Sequence, residues 1–309
     1  MGGAGFIGSN LTDALVERGY DVHVIDNLVA GKREHVNPKA TLHVLDVRNL
    51  ADISPVIAGA DYLFHLAALP RVQYSIEYPV ETNDVNVGGL LNVFLAAKNG
   101  GVKRVVYSAS SSAYGNQETM PLHEDLPTRP LSPYGLQKYI GEHYARVFSE
   151  VYGLPTVSLR YFNVYGPRLD PDGAYALVIG KFLKQRKDGE LITITGDGEQ
   201  TRDFTHVSDV VRANILAAES PNVGKGEVMN IGAGRNSTIN RIAELIGGEV
   251  AYVPARLEPK HTLASHARAK ELIGWEPEVL VEDGIRDLLK EWGLDCVCKD
   301  GVCVCAHAG

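Results

Sequence analysis

Hydrophobic positions in the first half of the chain follow two alternating spacings. Apolar residues three and four apart, such as Leu11, Ala14 and Leu15, predict a helix over residues 9–18. A short apolar run at 22–25 is typical of a buried strand. Strands that alternate with helices, without hairpin spacing, indicate βαβ units and a parallel sheet. The same two patterns predict strands at 42–45, 62–66, 104–108 and 156–160, and helices at 80–98 and 133–152.

The second half has a looser pattern, in which Gly and Pro turns separate shorter elements. Helices are predicted there at 175–187, 207–219, 238–246 and 281–292. We therefore predict an α/β fold, a Rossmann-type doubly wound parallel sheet with a smaller C-terminal α/β substrate domain. The predicted boundaries are 1–166 for the first domain, 167–295 for the smaller second domain and 296–309 for a Cys-rich tail, and residues 203–231 could pack back onto the first domain.

Charge and hydropathy exclude two classes of protein. The chain carries 30 Lys and Arg against 38 Asp and Glu, a net charge of −8. This acidic balance argues against nucleic-acid binding, which requires a basic face. No stretch has the roughly 18 to 20 apolar residues of a membrane span, and the N-terminus lacks the basic and apolar regions of a signal peptide. We therefore expect a cytoplasmic protein with neither nucleic acid nor membrane as a partner.

The sequence GGAGFIG at residues 2–8 opens directly onto the first predicted helix. Gly2, Gly5 and Gly8 suit a tight turn, close approach of backbone N–H groups to a pyrophosphate, and close packing of helix against sheet. The positive end of the helix dipole adds attraction for phosphates. The pattern predicts a dinucleotide site, and an ordinary turn is the alternative.

Two acidic residues stand at the ends of the next predicted strands. The Asp26 carboxylate could accept hydrogen bonds from a ribose diol, and it favours NAD over NADP because a 2′-phosphate would meet like charge. Asp46, followed by Val47, could accept from an adenine amino group. A helix N-cap or turn role fits Asp46 equally well.

Tyr134 and Lys138 lie four positions apart in one predicted helix, so they share a face. A lysine near a phenol stabilises the phenolate and lowers its pKa, which prepares the tyrosine for acid–base chemistry near neutral pH. Ser110, Ser111 and Ser112 stand at the C-terminal end of a parallel strand, where such sheets bind ligands. A hydroxyl there can relay a proton between the tyrosine and a substrate alcohol. The alternative is a serine-rich turn and a surface lysine.

Together these motifs resemble the extended short-chain dehydrogenase/reductase family, and within it the NAD-dependent UDP-sugar 4-epimerases. Matching segments run to about Leu294: GGAGFIG at 2–8, DN at 26–27, HLAA at 65–68, NVGG at 86–89, SSSAYG at 110–115, YGLQK at 134–138, RYFNVYGPR at 160–168 and GDGEQTRDF at 196–204. The resemblance implies that NAD is retained. The residues it implies for NAD binding are Gly2, Gly5, Phe6, Ile7, Gly8, Asp26, Asn27, Asp46, Val47, Leu66, Ala67, Ala68, Asn86, Tyr134, Lys138 and Tyr161.

The resemblance also implies inversion at C4 of a UDP-hexose through a transient 4-keto intermediate. Tyr134, helped by Lys138, would remove the proton of the 4-hydroxyl while hydride passes to the nicotinamide, and hydride would return to the opposite face of the turned keto sugar. The relay hydroxyl would be Ser110, although Ser111 is close enough to compete. The implied substrate-binding residues are Ser110, Ser112, Asn163, Arg202, Arg256, Glu258 and Thr262. Among these, Asn163 and the two arginines would surround the diphosphate and Glu258 would accept from the uridine ribose, whereas a surface ion pair is the alternative for each arginine.

Departures from the sequence patterns of related enzymes reduce the number of candidate reactions and substrates. Nucleotide-sugar 4,6-dehydratases carry Asp-Glu after the relay hydroxyl and UDP-glucuronate decarboxylases keep the Glu, but here Ser111 and Ser112 stand there, which favours epimerisation. Thr262 stands where glucose-restricted epimerases place a bulky Tyr, which leaves room for an N-acetyl group or another C5 substituent. The candidate sugars are therefore UDP-glucose or UDP-galactose, UDP-N-acetylglucosamine and UDP-glucuronate. Ser265 replaces the usual Asp of that segment.

Several alternatives to epimerisation remain. They are a decarboxylase, dehydratase or oxidoreductase of the same family, and a non-enzymatic Rossmann module that senses NAD. An intact Tyr134 and Lys138 pair counts against the sensor, which does not need those groups. The resemblance also implies a homodimer formed through the helices at 80–98 and 133–152.

The two ends of the chain carry unusual features. Cys296, Cys298, Cys303 and Cys305 alternate around Asp300-Gly301, which predicts a hairpin with Cys298 opposite Cys303 and Cys296 opposite Cys305. We interpret this tail as a non-catalytic appendage and assign no metal, with a zinc site and redox chemistry as alternatives. At the other end, a strand of about five or six apolar residues is expected before Gly2 at the centre of the sheet, whereas the sequence has Met1 alone before Gly2.

Overall fold

Helices and strands alternate through the first part of the computed structural model. The structure describes residues 1–171, 177–254 and 260–294, and the backbone of residues 296–299 and 302–305. The strands of the first part are β1 (His23–Asp26), β2 (Thr41–Val44), β3 (Tyr62–His65), β4 (Arg104–Ser110) and β5 (Thr156–Tyr161). Its helices are α1 (Phe6–Glu17), α2 (Leu50–Ile57), α3 (Val72–Glu77), α4 (Pro79–Asn83), α5 (Leu90–Asn99) and α6 (Pro133–Tyr152), with single 3₁₀ turns at Arg33–His35 and Ser111–Ala113.

Shorter elements make up the second part. The strands are β6 (Val164–Tyr165), β7 (Ile192–Thr195), β8 (Thr201–Asp203), β9 (Thr205–His206), β10 (Lys225–Ile231), β11 (Asn236–Thr238) and β12 (Val250–Val253). The helices are α7 (Val178–Lys187), α8 (Val207–Glu219), α9 (Ile239–Ile246), α10 (Ala267–Ile273) and α11 (Val281–Glu291). Across the described ranges, the structure contains no helix that is both long enough and apolar enough to cross a membrane.

Parallel pairing dominates the first part, which confirms the predicted α/β class. The larger sheet has the order β10-β5-β4-β3, and β1 pairs in parallel with β2 in a separate sheet. The backbone of Met1 and Gly2 lies between the two sheets. The amino group of Met1 donates to Phe64 O (2.9 Å), the N–H of Leu66 donates to Met1 O (3.1 Å), and the N–H of Gly2 donates to Ile25 O (2.8 Å). The glycine-rich loop therefore begins at the carboxyl ends of β1 and β3.

Apolar clusters cover both faces of the large sheet. One cluster joins Leu11 of α1 to Val210 of α8, and the other joins Ile53 of α2 and Phe94 of α5 to Phe148 of α6. Strand β4 runs between them with six of its seven residues buried. A third cluster, built mainly from α7, α9, α11 and β7, forms a separate core in the second part. The edge that carries the candidate site thus rests on a rigid, packed layer.

Two helices differ from their predicted extents. Helix α1 begins at Phe6 rather than at residue 9, because Gly5 serves as its N-cap. The helix predicted at 80–98 is divided into α4 and α5 by a π-helical turn at Asp84–Gly89. A Cβ on Gly89 would lie 2.6 Å from a methyl of Val47, so the glycine permits close packing there. Such π-turns are frequent at functional sites.

The backbone of the tail forms a hairpin with the predicted register. Strand β13 (Cys296–Lys299) pairs antiparallel with β14 (Val302–Cys305), and Cys296 stands opposite Cys305 and Cys298 opposite Cys303. Asp300 and Gly301, the predicted turn residues, lie outside the described residues.

Candidate active site

Close backbone contacts shape the glycine-rich loop. Gly2 has a φ of +75°, and a Cβ at this position would lie 2.7 Å from the N atom of Ala67. A Cβ on Gly8 would lie 2.0 Å from the carbonyl oxygen of Gly2. A Cβ on Gly5 would meet only that oxygen, at 3.5 Å. The loop is therefore closed at Gly2 and Gly8 and open at Gly5.

Helix α1 presents an unneutralised N-terminus next to this loop. Its first turn contains no acidic residue, and its N-cap provides no side-chain hydrogen bond. Phe6 and Ile7 begin the helix and are partly buried against the core. A helix N-terminus of this kind attracts phosphate through its free N–H groups and its dipole. The loop and helix thus fit the diphosphate of a dinucleotide.

Asp26 is held in place at the carboxyl end of β1. The N–H of Ala4 donates to Asp26 Oδ2 (3.0 Å), and the N–H of Leu28 donates to Asp26 Oδ1 (2.9 Å). The residue is 9% exposed. These bonds tie the carboxylate to the glycine-rich loop, where a ribose bound beside the diphosphate would need an acceptor.

Asp46 is engaged by neighbouring side chains. Arg48 binds its carboxylate in a bidentate manner (Nε–Oδ1 3.0 Å, Nη2–Oδ2 2.8 Å), and Asn27 Nδ2 donates to Oδ2 (3.0 Å). The N–H of Arg48 also donates to Oδ1, which closes a turn, and the guanidinium holds the pKa of Asp46 well below its usual range. Val47 is buried against Gly89. The structure thus gives Asp46 the turn role that the sequence offered as an alternative to adenine recognition.

Another side of the loop is formed by the chain after β3. Leu66 and Ala67 contact Met1 and Gly2, and Ala68 follows them. Asn86 in the π-turn, 3% exposed, fixes the next part of this segment. Its Oδ1 accepts from the N–H of Leu69 (2.8 Å), and its Nδ2 donates to Leu69 O (3.1 Å) and to Gln137 Oε1 (2.8 Å). Asn86 therefore links this segment to α6.

The Ser–Tyr–Lys group assembles where β4 ends beside α6. Ser110 is the last residue of β4, and its side chain lies near enough to the Tyr134 hydroxyl to lower the pKa of that phenol. Lys138 lies one turn further along α6, with Nζ 5.9 Å from the centre of the Tyr134 ring and 2.7 Å from Ser108 O. Lys138 is 4% exposed. The helix starts at a Ser132 N-cap, whose Oγ accepts from the N–H of Gly135 (3.1 Å). The three groups that the sequence selected are therefore neighbours.

Burial controls the ionisation of this group. It raises the pKa of Tyr134 to about 12, and the Ser110 side chain offsets only part of this rise. It lowers the pKa of Lys138 to about 7. Any lowering of the Tyr134 pKa by Lys138 therefore acts against this rise due to burial, and the Lys138 ammonium itself donates to Ser108 O.

Ser110 has different surroundings from Ser111 and Ser112. Ser110 Oγ accepts from the N–H of Ser112 (3.2 Å) and is 9% exposed. Ser111 and Ser112 begin the following 3₁₀ turn, and the carbonyl oxygen of Ser112 lies against α6, 2.7 Å from where a Cβ on Gly135 would be. Ser110 is therefore the serine that the structure brings to the Tyr134 hydroxyl.

Tyr161 lies beneath this group in the sheet. Its hydroxyl donates to Asn214 Oδ1 in α8 (2.9 Å) and also hydrogen-bonds Ser108, and the residue is 7% exposed. Burial raises its pKa above the usual range. Tyr161 thus supports the end of β4 from below, and its hydroxyl is already bound within the protein.

Three of the predicted substrate-binding residues, Asn163, Arg202 and Thr262, lie at Asp203. Asn163 Nδ2 donates to Asp203 O (2.9 Å), and Asp203 N donates to Thr262 Oγ1 (3.3 Å). Arg202 precedes Asp203 in β8, and its Nη1 donates to Thr201 O (2.9 Å). Arg256 and Glu258, which were also predicted to bind substrate, lie outside the described residues.

Asp203 and Glu142 are buried acidic residues that the sequence analysis did not select. Asp203 is fully buried and accepts three backbone N–H groups. Glu142 forms a bidentate ion pair with Arg160 (2.8 and 2.7 Å), and both side chains are at least 96% buried. A signal for this pair exists in the sequence, since Glu142 continues the face of Tyr134 and Lys138 and Arg160 interrupts a buried strand.

Comparison with known proteins supports one family. A protein-family model described as the NAD dependent epimerase/dehydratase family matches residues 1–232. A UDP-glucose 4-epimerase from Mycolicibacterium smegmatis is 34% identical over 299 residues, which cover 92% of this chain and 94% of the relative.

Solved structures agree with this comparison. The UDP-glucose 4-epimerase of Thermotoga maritima, crystallised with UDP-glucose, has a TM-score of 0.88 and 40% identity, covering 92% of this chain and 94% of its own. A UDP-N-acetylglucosamine 4-epimerase from Methanobrevibacter ruminantium, in complex with UDP-N-acetylmuramic acid, has a TM-score of 0.89 and 40% identity, covering 94% and 95%. The predicted Rossmann-type fold is thereby confirmed.

Proposed function

Since the chain belongs to the NAD-dependent epimerase/dehydratase family, we propose that it inverts C4 of a UDP-hexose through a 4-keto intermediate, with NAD as retained cofactor. The observation that carries this function is the meeting of Ser110, Tyr134 and Lys138 beside a loop that fits a dinucleotide diphosphate. Relatives of similar length carry the same activity in their names.

NAD would lie across the carboxyl ends of the strands. The glycine-rich loop and the N-terminus of α1 would bind its diphosphate, and Asp26 would accept from the adenosine ribose. Leu66, Ala67 and Ala68 would line the side opposite β1. When bound, NAD supplies a hydride acceptor and donor together with a positive charge on the nicotinamide.

Tyr134 is the acid–base group of this proposal. Its phenolate would take the proton of the sugar 4-hydroxyl, and the resulting phenol would return that proton after the sugar has turned, while Ser110 hydrogen-bonds the same oxygen atoms. With a pKa near 12 the phenol is protonated at neutral pH, so it needs nearby positive charge to act as a base. Lys138 contributes to that charge only while it is protonated.

The substrate would lie between the two parts of the chain. Asn163, Arg202 and Arg256 would hold the diphosphate, Glu258 the uridine ribose, and Ser112 and Thr262 the sugar. Ser111 and Ser112 provide no ionisable group beside the reacting carbon, so elimination of water lacks an acid or base there. This absence favours epimerisation over dehydration. We assign residues 1–166 to cofactor binding and 167–295 to substrate binding.

A homodimer through α5 and α6 completes the proposal. These helices flank a groove of about 310 Å³ whose lining includes Leu91, Leu95, Tyr144 and Val147. Val151 on the same helix as Val147 is 67% exposed. Exposed apolar side chains that cluster along two helices are typical of a protein–protein interface.

The test combines a substrate panel with a single substitution. UDP-glucose, UDP-N-acetylglucosamine and UDP-glucuronate are incubated separately with the protein, without added NAD, and both the 4-epimer and NADH absorbance are followed. We expect inversion of at least one sugar without net NADH release. Tyr134→Phe should abolish turnover while bound NAD remains, whereas Tyr139→Phe on the same helix should leave both unchanged.

Other outcomes identify the alternatives. Absence of inversion for every sugar, even with NAD supplied, would contradict the proposal, and NAD binding without turnover would favour a sensor. Accumulation of NADH would indicate a net oxidoreductase.

A further inference from the structure

Asp203 connects four separate segments of the chain. Its Oδ1 accepts from the N–H of Ala233 (2.7 Å), and its Oδ2 accepts from the N–H groups of Gly234 (3.0 Å) and Ala264 (2.8 Å). Ala233 and Gly234 follow β10 of the large sheet, whereas Ala264 belongs to the segment that contains Thr262. The carboxylate therefore fastens the edge of the cofactor-binding sheet to the segment predicted to contact the sugar.

The backbone of the same residue is also occupied. Its N–H donates to the Thr262 hydroxyl (3.3 Å), and its carbonyl accepts from the Asn163 amide (2.9 Å). Asn163 adopts a positive φ of 30°, which is uncommon for a non-glycine residue and is maintained by such contacts. Arg202 is the neighbouring residue in β8. Two substrate-binding candidates, Asn163 and Thr262, thus contact Asp203, and a third, Arg202, immediately precedes it.

We propose that Asp203 is a positioning residue that holds Asn163, Arg202 and Thr262 in the arrangement that binds a UDP-sugar; this inference rests on the proposed function of the site. Asp203 itself is fully buried and does not touch the substrate. Its effect is on affinity for the nucleotide sugar. The acid–base group at Tyr134 is built on β4 and α6 and does not depend on these bonds.

The ionised carboxylate is the form that accepts all three N–H groups. Burial nonetheless raises the pKa of Asp203 to about 6, because desolvation outweighs those hydrogen bonds. Ionisable side chains in the surrounding segments are Arg202, Arg235, Lys260, His261 and His266. Protonation replaces an acceptor with a donor and weakens the connection to Ala264. Affinity for the nucleotide sugar should therefore decrease below about pH 6.

Asp203→Asn tests the connection directly, and Asp209→Asn is its matched control. The amide cannot accept all three N–H groups, so at least one backbone group is left without its partner. Asp209 is also buried and accepts the N–H groups of Glu278 and Val279, but it lies in α8 and holds a segment far along the chain from Thr262. Asp209→Asn also loses the ion pair with Arg212 (2.9 Å), so it is at least as disruptive, but only Asp203→Asn loses bonds at the substrate residues.

Binding of UDP-glucose is measured by calorimetry, together with kcat, bound NAD and the unfolding temperature. For Asp203→Asn we expect affinity to fall about 10- to 100-fold, with kcat at saturation and NAD content retained. Asp209→Asn should lower the unfolding temperature and leave affinity unchanged. Unchanged affinity in Asp203→Asn, or an equal loss in both variants, overturns the positioning role alone. Wild-type protein that binds neither UDP-glucose nor the other two candidate UDP-sugars overturns the proposed function and the positioning role together.

The wild-type protein provides a second measurement if the variant does not fold. Its affinity for UDP-glucose should decrease reversibly as pH falls through about 6, with NAD still bound. Affinity that is independent of pH between 5 and 8 overturns the role of the carboxylate. In a folded Asp203→Asn variant the pH dependence should disappear, and its persistence would assign the effect to another group.

Discussion

Gly8→Ala and Gly5→Ala are expected to separate stability from cofactor binding. Both glycines belong to the same loop, but their surroundings differ. A Cβ on Gly8 would lie 2.0 Å from Gly2 O, where ordinary contact begins near 3.4 Å, so backbone must move. A Cβ on Gly5 would already be at 3.5 Å from its nearest neighbour and would project toward the proposed diphosphate.

The expected magnitudes follow from these distances. Overpacking at Gly8 should cost about 1 to 3 kcal/mol, which lowers the unfolding temperature by about 2 to 12 °C for a chain of this size. Gly5 has a φ of −82°, which alanine adopts without strain, so the unfolding free energy should change by less than about 1 kcal/mol. Its methyl group should instead displace the diphosphate and reduce bound NAD.

The assay is thermal unfolding of both variants, with NAD released by denaturation and quantified. Gly88→Ala, where φ is not positive and a Cβ would meet only Asp84 Oδ1 at 3.5 Å, controls for the general cost of replacing such a glycine. The interpretation of the loop would be refuted by a Gly8→Ala protein as stable as wild type. It would equally be refuted by a Gly5→Ala protein that binds NAD as wild type does.

Four further outcomes are expected. Glu142→Gln should lower the free energy of unfolding by about 3 to 5 kcal/mol, because Arg160 is left buried and unpaired. The measurement is urea titration. The control Glu150→Gln, at an exposed position on the same helix, should change the free energy of unfolding by less than about 0.5 kcal/mol. Lys138→Met should be more stable than wild type at pH 6, and the difference should shrink toward pH 10. The reason is that the unfolded chain holds the lysine proton up to its ordinary pKa of 10.5, whereas the folded chain releases it near pH 7. Denaturant unfolding in which the two stabilities do not converge contradicts the assigned burial. Leu95→Glu should convert the dimer to a monomer in light scattering, whereas a persistent dimer would place the interface elsewhere. Removal of residues 296–309 should leave epimerisation unchanged, since the predicted site residues end at Thr262; equal zinc content with and without the tail would end the metal alternative.

Local sequence patterns were sufficient to predict the elements and the neighbouring side chains of the first part of the chain. Both depend on the spacing of residues that are close in sequence. The glycine spacing at 2–8 and the four-residue spacing of Tyr134 and Lys138 predicted which side chains meet, and the structure places them beside β4. Alternating strands and helices predicted the parallel sheet, because a buried parallel strand has a continuous apolar pattern. The tail register followed from strict alternation of its cysteines around a two-residue turn.

The sequence alone misjudged properties that depend on burial. Tyr134 and Lys138 are close as predicted, but their spacing gave no sign of the desolvation that raises the pKa of Tyr134 to about 12 and lowers the pKa of Lys138 to about 7. The predicted helix at 80–98 is interrupted because Asn86 bonds a distant loop and Gly89 packs against Val47. Neither contact is visible in local periodicity.

By itself, the sequence determined the fold class and predicted the glycine-rich loop and the proximity of Tyr134 and Lys138, since each depends on residues close together in the chain. Only the tertiary structure decided which partners the charged side chains have. It paired Asp46 with Arg48, it buried Glu142 with Arg160, and it made Asp203 the junction of four segments. The physical reason is that desolvation and long-range hydrogen bonding depend on which distant segments pack around a group, and no local spacing records that packing.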